Sequence, residues 1–208
     1  MEYLFEFLFG ILTAVVGLLL PGMLNMNALK IHIYVSRNAS FKFSFGAITV
    51  IFFQCVLGVF FATWLSSNEA VILLLKEIGI VIFFLLSIYF FYAAYKNKHP
   101  SGDEKPEKGG YFWRGIGMSS LNMLAMPFYV AAALYYKSKG LLNLGWLHTV
   151  IFSLGVVLGS FFVFLLYINF ANFIKRRVHF ITKNLNAIIG VIFLIIAGST
   201  LFNLWEGQ

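Results

Sequence analysis

Charge is scarce in this chain, and the scarcity decides its class. Only 11% of its 208 residues are Asp, Glu, Lys or Arg, 61% are hydrophobic and the mean hydropathy is +0.88. A soluble domain carries roughly a quarter of its residues charged to cover its surface. The composition therefore excludes a soluble fold and indicates an all-α integral membrane protein. The net charge of +7 would suggest nucleic acid in a soluble chain, but the basic residues are confined to short loops between apolar runs. There they set orientation, and no nucleic-acid partner is expected.

Cysteine is nearly missing too. Cys55 stands alone in the middle of an apolar run, which excludes a disulfide framework, a thiol-redox pair and a cysteine metal site, and reads as an inert buried thiol. Carboxylates are absent from mid-membrane positions: Glu2, Glu6, Glu69, Glu77, Asp103, Glu104, Glu107 and Glu206 all fall near span ends or in loops. A cationic substrate would want a carboxylate there, so the pattern favours neutral or anionic substrates, with Glu6 or Glu77 available from a vestibule. His32, His99, His148 and His179 do not stand at metal-ligand spacing, and Ser153 has no nucleophile motif around it. An enzyme, a metal site and a cofactor are not expected.

What the chain does have is length of apolar sequence. About 20 apolar residues cross the hydrocarbon layer, and six such windows run from Tyr3 to Leu29, Phe41 to Leu65, Val71 to Tyr95, Tyr111 to Tyr136, Leu144 to Ala171 and Leu185 to Trp205. Glu2 and Glu6 stand where a cleaved leader would need positive charge, so the first window is expected to be a true span. NKHPSGDEKPEKGG, residues 97–110, is the one long polar segment and reads as a linker between halves 1–96 and 111–208.

The halves echo each other. GLLLPGMLNMNALKIH at 17–32 is answered by GMSSLNMLAMPFYVAA at 117–132, matching Leu24-Asn25-Met26 to Leu121-Asn122-Met123, with Pro21 and Pro127 nearby. Thr49-Val50-Ile51-Phe52 meets Thr149-Val150-Ile151-Phe152, Val56-Leu57-Gly58 meets Val157-Leu158-Gly159, and Ile78-Gly79 meets Ile189-Gly190. Three spans per copy force the second copy upside down, so six transmembrane helices in two inverted three-helix repeats are expected, with helices 1 and 4 broken near Pro21 and Pro127. Twelve of the 15 basic residues lie after span one, around the linker and before span six; only Lys76, Lys137 and Lys139 lie opposite. Both termini are then expected on the non-cytoplasmic side, and IKRRVHFITKN, residues 174–184, against anionic headgroups.

A proline removes a backbone hydrogen bond and clashes with the preceding turn, and a helix restarting after Pro21-Gly22 offers free N–H groups and a positive dipole end to an anion such as a carboxylate. Asn25, Asn27 and Asn122 supply donors and acceptors without fixed charge, either for a zwitterion or as glue between helices. Gln54, Thr49, Ser87, Ser153 and Ser160 are weaker candidates, since a hydroxyl can return its proton to its own helix. A straight helix from Tyr3 to Val35 would overrun the bilayer, so part of it must bend or leave. Lys30 either faces the cavity or snorkels to the surface, and His32 is the titratable group nearby suited to proton transfer. These residues, Pro21, Gly22, Asn25, Asn27, Asn122 and Pro127 with Lys30 and His32, form the candidate substrate site of a repeat-built carrier.

Pro21-Gly22 after an apolar span, Arg37 with Phe45-Gly46, Leu75-Lys76 with Ile78-Gly79, and Asn122 with Met126-Pro127 together resemble the lysine exporter (LysE/RhtB-type) family of bacterial amino-acid exporters. Met23 stands where that family usually has a second proline, and Phe128 where lysine is common. The resemblance implies a secondary transporter exporting amino acids or related small zwitterionic metabolites across a bacterial inner membrane by alternating access. The alternatives are a structural or assembly protein, for which Gly155-Val-Val-Leu-Gly159 offers a helix-pairing face and a homodimer, and a membrane-embedded enzyme. A polar cavity at the asparagines would favour the carrier; dry packing there would favour the structural reading.

Overall fold

In lipid every backbone polar group must be satisfied within the protein, which long apolar runs achieve as helices. The computed structural model describes residues 2–19, 22–95, 109–122 and 124–206. Along these run α1 (Glu2–Leu18), α2 (Met23–Tyr34), α3 (Arg37–Ser66), α4 (Glu69–Tyr95), α5 (Tyr111–Ser120), α6 (Ala125–Ser138), α7 (Trp146–Asn169) and α8 (Ala171–Glu206). No strand occurs among the described residues.

Helices α3 and α7 are each long and apolar enough to cross a membrane. The pairs α1 with α2 and α5 with α6 pass the same test jointly, bent by 77° and 64°, giving up to four spans among the described residues. The first apolar run thus bends, as its excess length required. Where the third and sixth spans were expected, α4 and α8 carry shorter apolar stretches, Ile80–Tyr89 and Gly190–Phe202. The basic segment 174–184 continues the α8 backbone, while the side chains of 175–189 lie outside the described residues, as do Leu20, Pro21 and most of the expected linker.

The chain divides into two compact units. One comprises residues 1–66 and 105–174, and the other 67–104 and 175–208. In the second unit, Ser87 Oγ donates to the Gly190 carbonyl at 2.9 Å, Phe83 stacks on Phe193 with centroids 5.6 Å apart, and the Phe91 ring lies over Gly190.

The first unit is built on two helix crossings, α1 against α7 and α3 against α5. Each is made by a Phe-x-x-Gly element on both helices: Phe7 and Gly10 with Phe152 and Gly155, Phe43 and Gly46 with Phe112 and Gly115. In each pair the glycine of one helix sits on the phenylalanine carbonyl of the other, reciprocally, so closely that a Cβ at any of the four would run into that oxygen. Without lipid-to-protein hydrophobic drive, such close backbone packing is what holds membrane helices together. Gly159, one turn beyond Gly155, also meets α1: a Cβ there would stand 2.7 Å from the Ile11 carbonyl and 2.8 Å from Ala14 Cβ. The Gly155–Gly159 face read from sequence as a dimer surface is therefore filled by α1 of the same chain. Phe43, Ile51, Phe152 and Phe164 are fully buried between the helices. Leu4, Leu8, Leu12 and Val16 form an exposed stripe on α1 at four-residue spacing, apolar surface that suits lipid rather than water.

Candidate functional site

The break between α1 and α2 arises where the apolar run meets Gly22, which caps α2 in an extended conformation with no side-chain cap. The first N–H groups of any helix have no partner within it, and no side chain among the described residues caps those of α2. The second break falls at Leu121–Leu124, between the end of α5 and the start of α6. Asn122 N donates to the Ser119 carbonyl and the Asn122 carbonyl accepts from Ala125 N, so a tight turn replaces a continuous helix. Pro127 stands in the first turn of α6, where a missing N–H costs nothing.

A cavity of about 150 Å³ lies at these breaks, lined by Gly17, Leu18, Gly22, Met23, Leu24, Asn25 and Asn122. The end of α1, the first turn of α2 and the second break all contribute, and no charged side chain is among the lining residues. Asn25 is buried and its Nδ2 donates to the Leu18 carbonyl at the end of α1. Tyr167 Oη donates to the Leu19 carbonyl at 2.9 Å, which satisfies backbone that the break releases. The Phe128 ring lies against Gly17 on the α6 side; a Cβ on Gly17 would stand 2.7 Å from it.

The structure brings together Gly22, Asn25 and Asn122 of the residues picked out from sequence. Asn27 does not join them, because its Nδ2 turns back to the Met23 carbonyl of its own helix at 2.8 Å. Lys30 and His32 lie further along α2 and Pro127 further along α6, none of them among the lining residues. His32 Nδ1 is buried with no hydrogen-bond partner among the described residues. Pro21 lies outside the described residues. Of the weaker candidates, Thr49 does return its proton to its own helix, at the Phe45 carbonyl. Gln54 and Ser153 do not: Gln54 Nε2 donates to the Ser119 carbonyl at 3.1 Å, and Ser153 Oγ bonds Cys55 Sγ at 3.4 Å. Cys55 is fully buried there.

A second polar site was not legible. Glu6, 1% exposed, holds both carboxylate oxygens 2.7 and 2.8 Å from His148 Nδ1, and its Oε1 accepts from the Asn143 backbone N–H at 3.1 Å. From sequence, Glu6 reads as a span-end residue available at most from a vestibule. The signal available was a lone carboxylate inside the first apolar window, and its partner lies 142 positions away.

A family model described as "LysE type translocator" matches residues 15–203. No curated protein matches the chain, and no solved structure does.

Proposed function

This chain belongs to the LysE type translocator family, a family of multi-pass membrane transporters, and from that premise we propose that the cavity at the two helix breaks is the substrate site of a secondary transporter exporting a small zwitterionic amino acid or related metabolite by alternating access. One observation carries this: Asn25 and Asn122, from opposite halves of the chain, line a single cavity beside the uncapped start of α2. A carboxylate meets N–H groups and a positive dipole end there, and the amide oxygens accept from an ammonium group. The uncharged lining suits a substrate of no net charge. The cavity's size suits one of few atoms.

The reciprocal Phe-x-x-Gly crossings support an internal duplication of halves 1–96 and 111–208, joined by 97–110. They set Gly10 against Gly115 and Gly46 against Gly155 as equivalents. Each compact unit also draws on both halves, as inverted repeats do. Transport then proceeds as the halves rock about the cavity, with the breaks as its walls, and both termini lie on the non-cytoplasmic side of a bacterial inner membrane.

The test is counterflow of a tritiated mixture of the standard L-amino acids into proteoliposomes, beside Asn25→Ala and Asn122→Ala. Uptake of one class, reduced about tenfold or more in both variants at equal folded protein, is expected, since losing a hydrogen bond to a charged group costs roughly 1.5–3 kcal/mol. Undiminished uptake in both variants would move the site elsewhere.

A further inference from the structure

We propose that Glu6 and His148 form the proton-binding site through which this transporter is coupled to a pH gradient, a proposal that rests on the transport reading above. Taking a carboxylate out of water is expensive, and a buried ion pair rarely repays the cost in stability. The molecule contains its own control for that statement. At the α3–α5 crossing, the positions equivalent to Glu6 and His148 are Tyr111 and Ala39. The same reciprocal glycine contact forms there without an ionisable pair. The α1–α7 crossing therefore does not need Glu6 and His148 in order to form.

The pair is built to hold and release a proton. With Glu6 ionised, His148 donates from Nδ1, and the exchangeable proton sits on Nε2 or on Glu6. The imidazole side chain is 15% exposed and that of Glu6 2%, so His148 is the port and Glu6 the buried store. The Tyr3 ring lies over His148 with centroids 5.0 Å apart. The other titratable or charged groups on the elements meeting here are Glu2 on α1 and Tyr136, Lys137 and Lys139 at the end of α6. Tyr136 Oη lies 3.3 Å from Thr13, Lys137 Nζ donates to Ser66 Oγ at 2.6 Å, and among the described residues Lys139 is not ion-paired to Glu6, nor Glu2 to His148.

Placement gives the proton leverage. Glu6 ties α1 to α7 through His148, and to the segment following α6 through Asn143. The opposite end of α1 supplies Gly17 and Leu18 to the cavity, about 16 Å along the helix at 1.5 Å per residue, and α6 begins at the second break. One carboxylate thus fastens two arms: the far end of α1, whose near end lines the cavity, and the segment that follows α6, whose own start lies at the second break. A proton gained or lost there changes how firmly those arms are held together.

The experiment compares wild type with Glu6→Gln and His148→Gln in proteoliposomes, using the same tritiated amino-acid mixture. Uptake is measured by counterflow, which moves no net proton, and under an imposed pH gradient; infrared difference spectra between acid and alkaline pH are recorded without substrate. The ratio of gradient-driven to counterflow uptake is expected to fall about tenfold or more in either variant, and wild type minus Glu6→Gln is expected to show a pH-dependent carboxyl band. An unchanged ratio in a folded variant, or no such band, overturns the proposal. If wild type shows no counterflow, the amino-acid reading fails separately, and the infrared band still decides whether Glu6 binds the proton. Should Glu6→Gln not fold, His148→Gln carries the ratio, and loss of the wild-type carboxyl band in that variant supports the pair.

Discussion

The two crossings of the first unit use one device to different ends. At both, a glycine pair brings helix backbones into contact over a phenylalanine carbonyl. The α3–α5 crossing has Tyr111 and Ala39 at the matching positions and no acid–base pair, whereas the α1–α7 crossing carries the Glu6–His148 pair. The difference continues along the helices. Twelve residues beyond its crossing glycine, α7 has Tyr167, whose hydroxyl holds the Leu19 carbonyl at the first break. The equivalent residue on α3 is Gly58, where a Cβ would stand 2.9 Å from Tyr129 Cβ on α6. The first break is held by a tyrosine hydroxyl, the second by close packing at Gly58 and by Gln54, whose amide donates to the Ser119 carbonyl at the end of α5. The two crossings share one backbone contact, and the α1–α7 crossing alone adds a carboxylate–imidazole pair to it.

The largest effect tests the shared device. Gly10→Ala, Gly155→Ala, Gly46→Ala and Gly115→Ala each place a methyl against backbone that cannot move aside, and each is expected to cost about 3 kcal/mol or more. Loss of monodisperse protein in detergent is the readout. Gly117→Ala, where nothing lies within 4 Å, is expected to leave yield unchanged. If the four glycines tolerated alanine equally well, the crossings would not be the scaffold. Next comes the asymmetry. His148→Ala leaves a buried carboxylate without its partner and is expected to cost about 3 kcal/mol, whereas Tyr111→Phe at the matching position should change the melting temperature by little. Equal shifts would remove the distinction between the crossings. The smallest effect concerns the tether. Tyr167→Phe frees the Leu19 carbonyl for about 1 kcal/mol, seen as a modest fall in melting temperature and faster cysteine labelling at position 25 in a Cys55-free background.

Part of the cavity's lining, Gly22, Asn25 and Asn122, was legible because its chemistry is local. Pro21-Gly22 announces a break from residues side by side, and an asparagine in an apolar run stands out against its neighbours. That Asn25 and Asn122 share a cavity followed from the echo of two short strings. That Asn27 turns back on its own helix did not, because a side chain's choice between backbone and cavity depends on which face its helix presents. The register of the proposed duplication was also hidden. The matching letters pair Asn25 with Asn122, but the crossings pair Gly10 with Gly115, which sets Pro21 beside Met126 and next to Pro127.

Composition and run length alone determined that this chain lives in lipid as helices, since lipid leaves the backbone no other partner than itself. They also determined that the first run had to bend, since its length exceeds the hydrocarbon layer. Tertiary structure decided the rest: that Gly155 and Gly159 face α1 of the same chain, and that Glu6 finds His148. Helix association in membranes turns on small residues meeting face to face and on buried polar groups finding partners. Neither leaves a periodic trace along a chain that is apolar nearly all round, so only the packed helices show which residues meet.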